Sequence, residues 1–378
     1  MRKFFHCTFT VFIFFAVLGC EPEPAVQPSG KSAKIGVIGP MSGPDSSAGL
    51  EGLTGVNAVM RMTPLLANGD QIELVVEDDQ NDPILTRQAL RALVLEHDVA
   101  AVLTFSTSGP VLGLASIADT YQTPIIAALA THPAVTKDNG FVNQICFDDV
   151  FQGSVAALFV RDELLLDKVA IISDPSSNYS SNLAAEFERK YTAIGGEVIE
   201  QIFITSDAEK LAHDIKALHE RRPELLYLPT DAANVIRVVE QTRKLVWEPL
   251  FMSSDVLMPG VVTHHPEAKP LLEGVMVTDF FHYKMPLTPF GKKVKPHVKN
   301  LKTNYGVLGI ESLAILINAM NNCRPADDRH CINDRIRSTS GFTGVSGKIT
   351  IDSHGRAARP LVINTIEGGR LRFMVKVF

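Results

Sequence analysis

KIGVIGPMSGPDSSAG, residues 34–49, runs an apolar strand into a loop made of glycine, proline, serine and aspartate. A strand that opens into glycine suggests a phosphate cradle, because amides bare of side chains can approach a pyrophosphate at the start of a helix. The spacing argues otherwise. Gly36, Gly39 and Gly43 fit neither G-x-G-x-x-G nor G-x-x-x-x-G-K-[ST], and no lysine follows the loop. The stretch reads as a tight turn closing a buried strand, and its purpose must come from the rest of the chain.

Outward from this strand, short β-rich runs alternate with amphipathic helical stretches. KIGVIG precedes a helix near 48–62, IELVVED (72–78) one near 83–97, and VAAVLTF (99–105) precedes PVLGLASIADTY (110–121). In that last stretch Val111, Leu114, Ala115 and Ala118 share one helical face. After about residue 150 the alternation restarts: KVAIISD (168–174), a helix near 178–193, GEVIEQIFI (196–204), a helix near 207–220, ELLYLP (224–229), a helix near 231–244 and PLFMSSD (249–255). Such alternation predicts parallel sheets covered by helices, here as two α/β units in series. The remainder is less regular, with a strand in GVMVTDFF (274–281), a helix in ESLAILINAMNN (311–322) and terminal strands.

The chain has 378 residues, enough for two domains, with 46% hydrophobic and 21% charged residues and a net charge of -6. That balance offers nothing to a polyanion, so no nucleic-acid partner is expected. Residues 1–19 combine the basic MRKFF with an apolar core too short to span a bilayer, and read as a signal peptide. The ending VLGC (17–20) resembles the lipobox of bacterial lipoproteins, which makes Cys20 the expected lipidation site and a lipid anchor the expected tie to the membrane. Residues 20–33 then read as the lipidated cysteine and a Pro-rich flexible linker. Cys323 and Cys331 flank the polar RPADDRH (324–330) and are expected to form a local disulfide; Cys146 is left as a buried thiol.

Three stretches carry a family resemblance: IGVIGPMSGPDSSAG (35–49), VVEDDQNDP (75–83) and GFTGVSGKITIDSHGRAARPLVINTIEGG (341–369). Together they resemble the leucine/isoleucine/valine-binding group of ABC-importer solute-binding lipoproteins, with the type I periplasmic binding protein fold. The resemblance implies two doubly wound α/β lobes joined by a three-crossover hinge, with a small ligand trapped between them. Lobe 1 would be residues 34–149 plus 280–345 and lobe 2 residues 150–279 plus 346–378, with crossovers near 149–152, 279–282 and 343–346. The opening loop then becomes a cleft wall.

Residue chemistry places the site. In TFSTSGPVLG (104–113), Ser106, Thr107 and Ser108 offer hydroxyls before a helix whose Pro110 suits a first turn, so free amides and the helix dipole favour a carboxylate there. Without the resemblance these are ordinary N-caps. With it, Ser108 is the best carboxylate candidate, aided by Ser106 and Thr107, and Thr131 of AALATHP (127–133) ends the neighbouring strand at a matching position, alongside Leu129. From the other lobe, the resemblance puts Tyr179 over the ligand and Asp255 beside its ammonium, a cation between a π-face and a carboxylate. Asp255 also reads as a helix N-cap, and Asp231 of LPTDAAN (228–234) as an N-cap at least as readily. Ala48 stands where leucine-type binders carry an aromatic residue, so the side-chain pocket differs.

The expected activity is therefore binding and not catalysis: an extracytoplasmic, lipid-anchored component of an ABC importer, partnered by a permease and holding an amino acid or related carboxylate. A sensory receptor of the same fold is the alternative. A hydrolase would need Ser106 or Ser108 with His132 and Asp255, but G-x-S-x-G is absent. No cofactor is expected. Glu77, Asp78, Asp79 and Asp82 lack EF-hand spacing, H-E-x-x-H is missing, and no metal is expected; Asp82–Pro83 reads as a helix start, and His264 and His265 as solvated loop residues.

Overall fold

The computed structural model describes residues 26–298, 303–345 and 347–377; the signal-like segment and Cys20 lie outside the described residues. The first half-turn of architecture is β1 (Ser32–Gly39), α1 (Ser46–Met62), β2 (Gln71–Asp78), α2 (Pro83–Leu95), β3 (Ala101–Thr104), α3 (Ser108–Tyr121), β4 (Ile125–Ala127) and β5 (Val142–Gln144). Its strands form a parallel sheet in the order β2-β1-β3-β4-β5. Helices cover both faces, which explains why β3 and β4 are buried at every residue while the edge strand β2 is half exposed.

The chain then builds α4 (Asp149–Leu158), β6 (Lys168–Ser173), α5 (Asn178–Ala193), β7 (Glu197–Phe203), α6 (Ala208–Arg221), β8 (Leu225–Leu228), α7 (Ala232–Lys244), β9 (Leu250–Ser253), α8 (Leu257–His264) and β10 (Met276–Asp279). It returns to the first unit as α9 (Pro289–Val294), α10 (Asn304–Asn321), α11 (Arg329–Arg337), β11 (Phe342–Thr343), β12 (Lys348–Ile351) and β13 (Ala357–Ala358). The last strands, β14 (Leu361–Glu367) and β15 (Arg370–Val377), complete a second sheet in the order β15-β14-β10-β9-β8-β6-β7. Both sheets share the order in which the second strand lies outside the first, so each reverses beside its first strand. Crevices open at the carboxyl ends of such strands.

Local sequence sets the boundaries. Asp82 caps α2 by accepting from the Ile84 and Leu85 amides, with Pro83 as first helical residue. Asp207 caps α6 in the same way. Two expected boundaries move. The linker over 20–33 ends earlier, because β1 starts at Ser32 and the Ser29 amide donates to Gly69 O at 2.8 Å. Residues 347–358, expected with the second lobe, pair instead with β11, since an antiparallel meander satisfies its hydrogen bonds locally and buries Ile349 and Ile351 beside α10. Gly355 O also accepts from Gln144 N at 2.7 Å, so the return to the second sheet comes only at β14.

Two packing features tie the molecule together. Along α1 and α10, Gly52, Gly55, Gly306 and Gly309 let backbone meet backbone: a Cβ on Gly55 would strike Gly306 O, and one on Gly309 would strike Gly52 O. Where the sheets join, Phe147 stacks on Phe280 with centroids 3.9 Å apart, and the Arg359 guanidinium lies 5.4 Å from the Phe280 ring. Arg359 Nη1 donates to Ile145 O at 3.1 Å, and Nη2 lies 2.9 Å from Glu311 Oε2, while Glu311 Oε1 accepts from Val345 N. One arginine thus touches all the passages between the sheets. Cys323 and Cys331 are disulfide-bonded and Cys146 is a buried free thiol.

Candidate ligand-binding cleft

A cavity of about 610 Å³ opens between the carboxyl ends of the two sets of strands. On the first sheet's side it is lined by the loop after β1 (Pro44, Asp45), by the first turn of α1 (Ser47, Ala48), by Asn81, by Thr107 and Ser108, by Leu129 and by Tyr305 of α10. On the other side stand Ser177, Tyr179, Thr230, Asp231, Asp255 and, at the rim, His264 and His265. The opening loop is a cleft wall because a glycine-rich turn lets α1 begin immediately behind it.

The first wall presents the start of α3 to the cleft. Thr107 is the N-cap of α3 but does not cap it, because its amide and its hydroxyl both donate to Asn81 Oδ1, at 2.9 and 3.0 Å. The Ser108 and Gly109 amides have no acceptor among the described residues, and Pro110 has no N–H to offer. Unpaired amides at a helix start carry partial positive charge toward the cleft. Ser108 Oγ accepts from His132 N at 3.2 Å and keeps its own proton for donation.

Ser106 and Thr131 are not in this lining. Ser106 is fully buried and donates to the Asp79 carboxylate, which also accepts from Thr86 Oγ1 at 2.8 Å, so it braces the loop from beneath. Thr131 is fully buried too; its carbonyl accepts from Asp149 N, and its hydroxyl stands by the Asp149 carboxylate. Both sit on strand extensions whose side chains turn into the lobe, whereas Ser108 begins the helix and faces out of it.

The opposite wall is acidic and aromatic. Asp255 Oδ1 accepts from Tyr179 OH at 2.8 Å and from Gln152 Nε2 at 2.7 Å. Asp255 does not cap α8, whose N-cap is Val256. Burial raises its pKa against the pull of those two donors. Behind it, burial pushes Asp149 up to about 7 and Asp279 up to about 8, and in each case the Asp255 charge adds to the rise. Asp231 is an N-cap, accepting from Asn234 N at 2.9 Å, yet it also lines the cleft. No lysine or arginine lines the cavity among the described residues.

Several lining residues escaped the sequence reading. His264 is exposed and His265 half-buried, as solvated residues would be, but both stand at the rim. Asn81 holds φ 59 within the acidic run 77–83, a turn signal that could have marked it. Tyr305 had no local signal, because the glycine seam between α1 and α10 brings it there. The acidic run itself is spent on structure: Asp78 Oδ1 accepts from the Met41 and Gln80 amides, and Asp79 and Asp82 brace the loop and cap α2. No group of His, Cys, Asp or Glu suited to a metal occurs among the described residues. The serine–histidine geometry is not that of a hydrolase, since Ser108 Oγ meets the His132 backbone amide while the ring Nδ1 accepts from Ala134 N.

The family model for periplasmic binding proteins matches residues 32–370. The chain belongs to that family. This binding protein is 25% identical over 261 residues to a Leu/Ile/Val-binding protein homolog 6 of Brucella suis, covering 66% of the present chain and 64% of the relative. Among solved structures, its fold matches the leucine-binding protein LivK of Thermotoga maritima with TM-score 0.84 and 26% identity, over 91% and 98% of the two chains. It also matches LivJ of Streptococcus pneumoniae, solved with isoleucine (TM-score 0.82, 20% identity, 92% and 100% covered), and a Rhodopseudomonas palustris solute-binding protein with 3,4-dihydroxybenzoic acid (TM-score 0.79, 18% identity, 92% and 97% covered). The binding protein therefore has the doubly wound α/β fold of these neighbours. No described helix is long and apolar enough to cross a membrane.

Proposed function

We propose that this protein is the extracytoplasmic solute-binding component of an ABC importer, tethered through a lipid on Cys20 and trapping a small amino acid in the cleft between two lobes. The observation that carries the reading is the pairing of walls. A helix start with free amides and the Ser108 hydroxyl suits a carboxylate, and Tyr179 with Asp255, directly opposite, suits an ammonium. A carboxylate with no cationic group would face Asp45, Asp231 and Asp255 without compensation, which favours an amino acid over an aromatic acid. Thr107 and Leu129 line the cleft beside the carboxylate end, and Asp231 stands on the wall of the ammonium end.

In this reading the lobes are the two sheets with their helices, and the passages near Ile145, Phe280 and Arg359 are the hinge. Only the closed form brings both walls to the ligand, so ligand shifts the population toward closure and a permease can read that shape. The test is a calorimetric screen of amino acids, their deaminated analogues, their amides and aromatic acids. Tight binding of an α-amino acid, lost in both the amide and the deaminated analogue, supports the assignment. Equal binding of the deaminated acid removes the role given to Asp255.

A further inference from the structure

A second cavity of about 610 Å³ lies beside the cleft and shares no lining residue with it. Its walls come from α1 on the first lobe, α8 on the second, the start of α10 and the β14–β15 hairpin. The inner end carries two buried oxygen acceptors that lack a donor of hydrogen-bonding geometry among the described residues. Asn304 is 2% exposed; its Nδ2 donates to Asp255 O at 2.9 Å and Asp279 Oδ1 at 2.8 Å, and its Oδ1 is without a partner among the described residues. Glu51 Oε2 is likewise buried and without a partner of hydrogen-bonding geometry among the described residues, the carboxylate meeting only the Thr303 hydroxyl and Thr263 Oγ1, the latter at 3.4 Å. Buried acceptors are almost always paired, so two orphans lining one cavity point to a donor that arrives from outside.

The charge pattern says what kind of donor. Glu51 and Asp279 place acid at the inner end, whereas Lys269 and Arg370 line the cavity with no ion pair or hydrogen bond among the described residues. Between them Met258 and Val262 supply apolar wall. We propose that this cavity is a second small-molecule site, taking an amphoteric ligand whose ammonium enters toward Glu51, Asn304 and Asp279 and whose anionic end stays at Lys269 and Arg370. Burial raises the pKa of Glu51, against the Thr303 and Thr263 hydroxyls, and an entering ammonium favours its ionised form. Because α1 and α8 belong to different lobes, occupancy also resists their separation.

The site goes beyond the cleft reading and is tested independently of it. Calorimetry on the purified chain would use δ-aminovalerate as probe, with pentylamine and valerate as half-ligands. The probe should bind more tightly than either half-ligand. Glu51→Gln should weaken it by about tenfold or more, and so should Val262→Phe, which fills the cavity from an exposed position on α8. Ser108→Ala, in the cleft, should leave it unchanged. The proposal is overturned by absence of probe binding to the folded wild type, by pentylamine binding as well as the probe, or by loss in Ser108→Ala with retention in Glu51→Gln and Val262→Phe.

Discussion

Arg359 and Glu311 face each other at 2.9 Å with both side chains all but sealed from water, at the point where the chain passes between the sheets. Removing one member leaves the other charge buried and unpaired, a loss of roughly 3–5 kcal/mol. Glu311→Ala should therefore cost about that much in urea unfolding, and should also release the Val345 amide it accepts from. A cost under about 1 kcal/mol would show that water reaches the pair.

The buried acids make stability depend on pH. An aspartate has a pKa of about 3.9 in the unfolded chain, whereas Asp149 and Asp279 are pushed up to about 7 and about 8 by burial. Between these values the folded form holds more protons than the unfolded one, so stability falls as pH rises from about 4 to about 8, by up to about 1.4 kcal/mol per unit for each group. Asp279→Asn keeps the oxygen that accepts from Asn304 and Phe280 but cannot ionise. Denaturation at a series of pH values should show a slope smaller by one proton; an unchanged slope rejects the protonated Asp279.

Substitutions around α3 separate two neighbours that look alike in the sequence. Ser108→Ala should weaken ligand by roughly 1.5–3 kcal/mol, as expected for one donor to a desolvated anion, with little change in stability. Ser106→Ala should do the reverse, because Ser106 is bonded to Asp79 beneath the loop. Titration and melting of both variants decide it. Equal effects of the two on affinity would mean that Ser106 reaches the ligand.

The contact of α1 with α10 tolerates no side chain. Gly309→Ala should push a methyl into Gly52 O and destabilise by about 1–3 kcal/mol or more, since neither backbone can yield alone. A chemical melt measures this, and a neutral result would show that the helices can slide apart without cost.

The reach of the sequence follows from the reach of its signals. Strand–helix alternation and the caps at Asp82 and Asp231 are local chemistry, and they appear within a few residues of where they were expected. Tyr179, Ser108 and Asp255 came from the resemblance together with residue type. Asn304, Tyr305 and the Arg359–Glu311 pair were invisible because their partners are far along the chain, joined only once α10 has docked on α1. Ser106 lies beneath the loop while Ser108 lines the cleft, because two residues across a strand-to-helix turn change the facing direction, which composition does not reveal.

The absence of lysine and arginine from the cleft lining among the described residues has a kinetic consequence. A carboxylate taken by amide dipoles and hydroxyls feels them only at contact range, since such dipoles fade within a helical turn. Long-range steering is then missing, and the protein's net charge of -6 offers an approaching anion no attraction. On the proposed reading, encounter with a zwitterion should proceed at a rate nearly indifferent to ionic strength, with selectivity expressed in how slowly the ligand leaves.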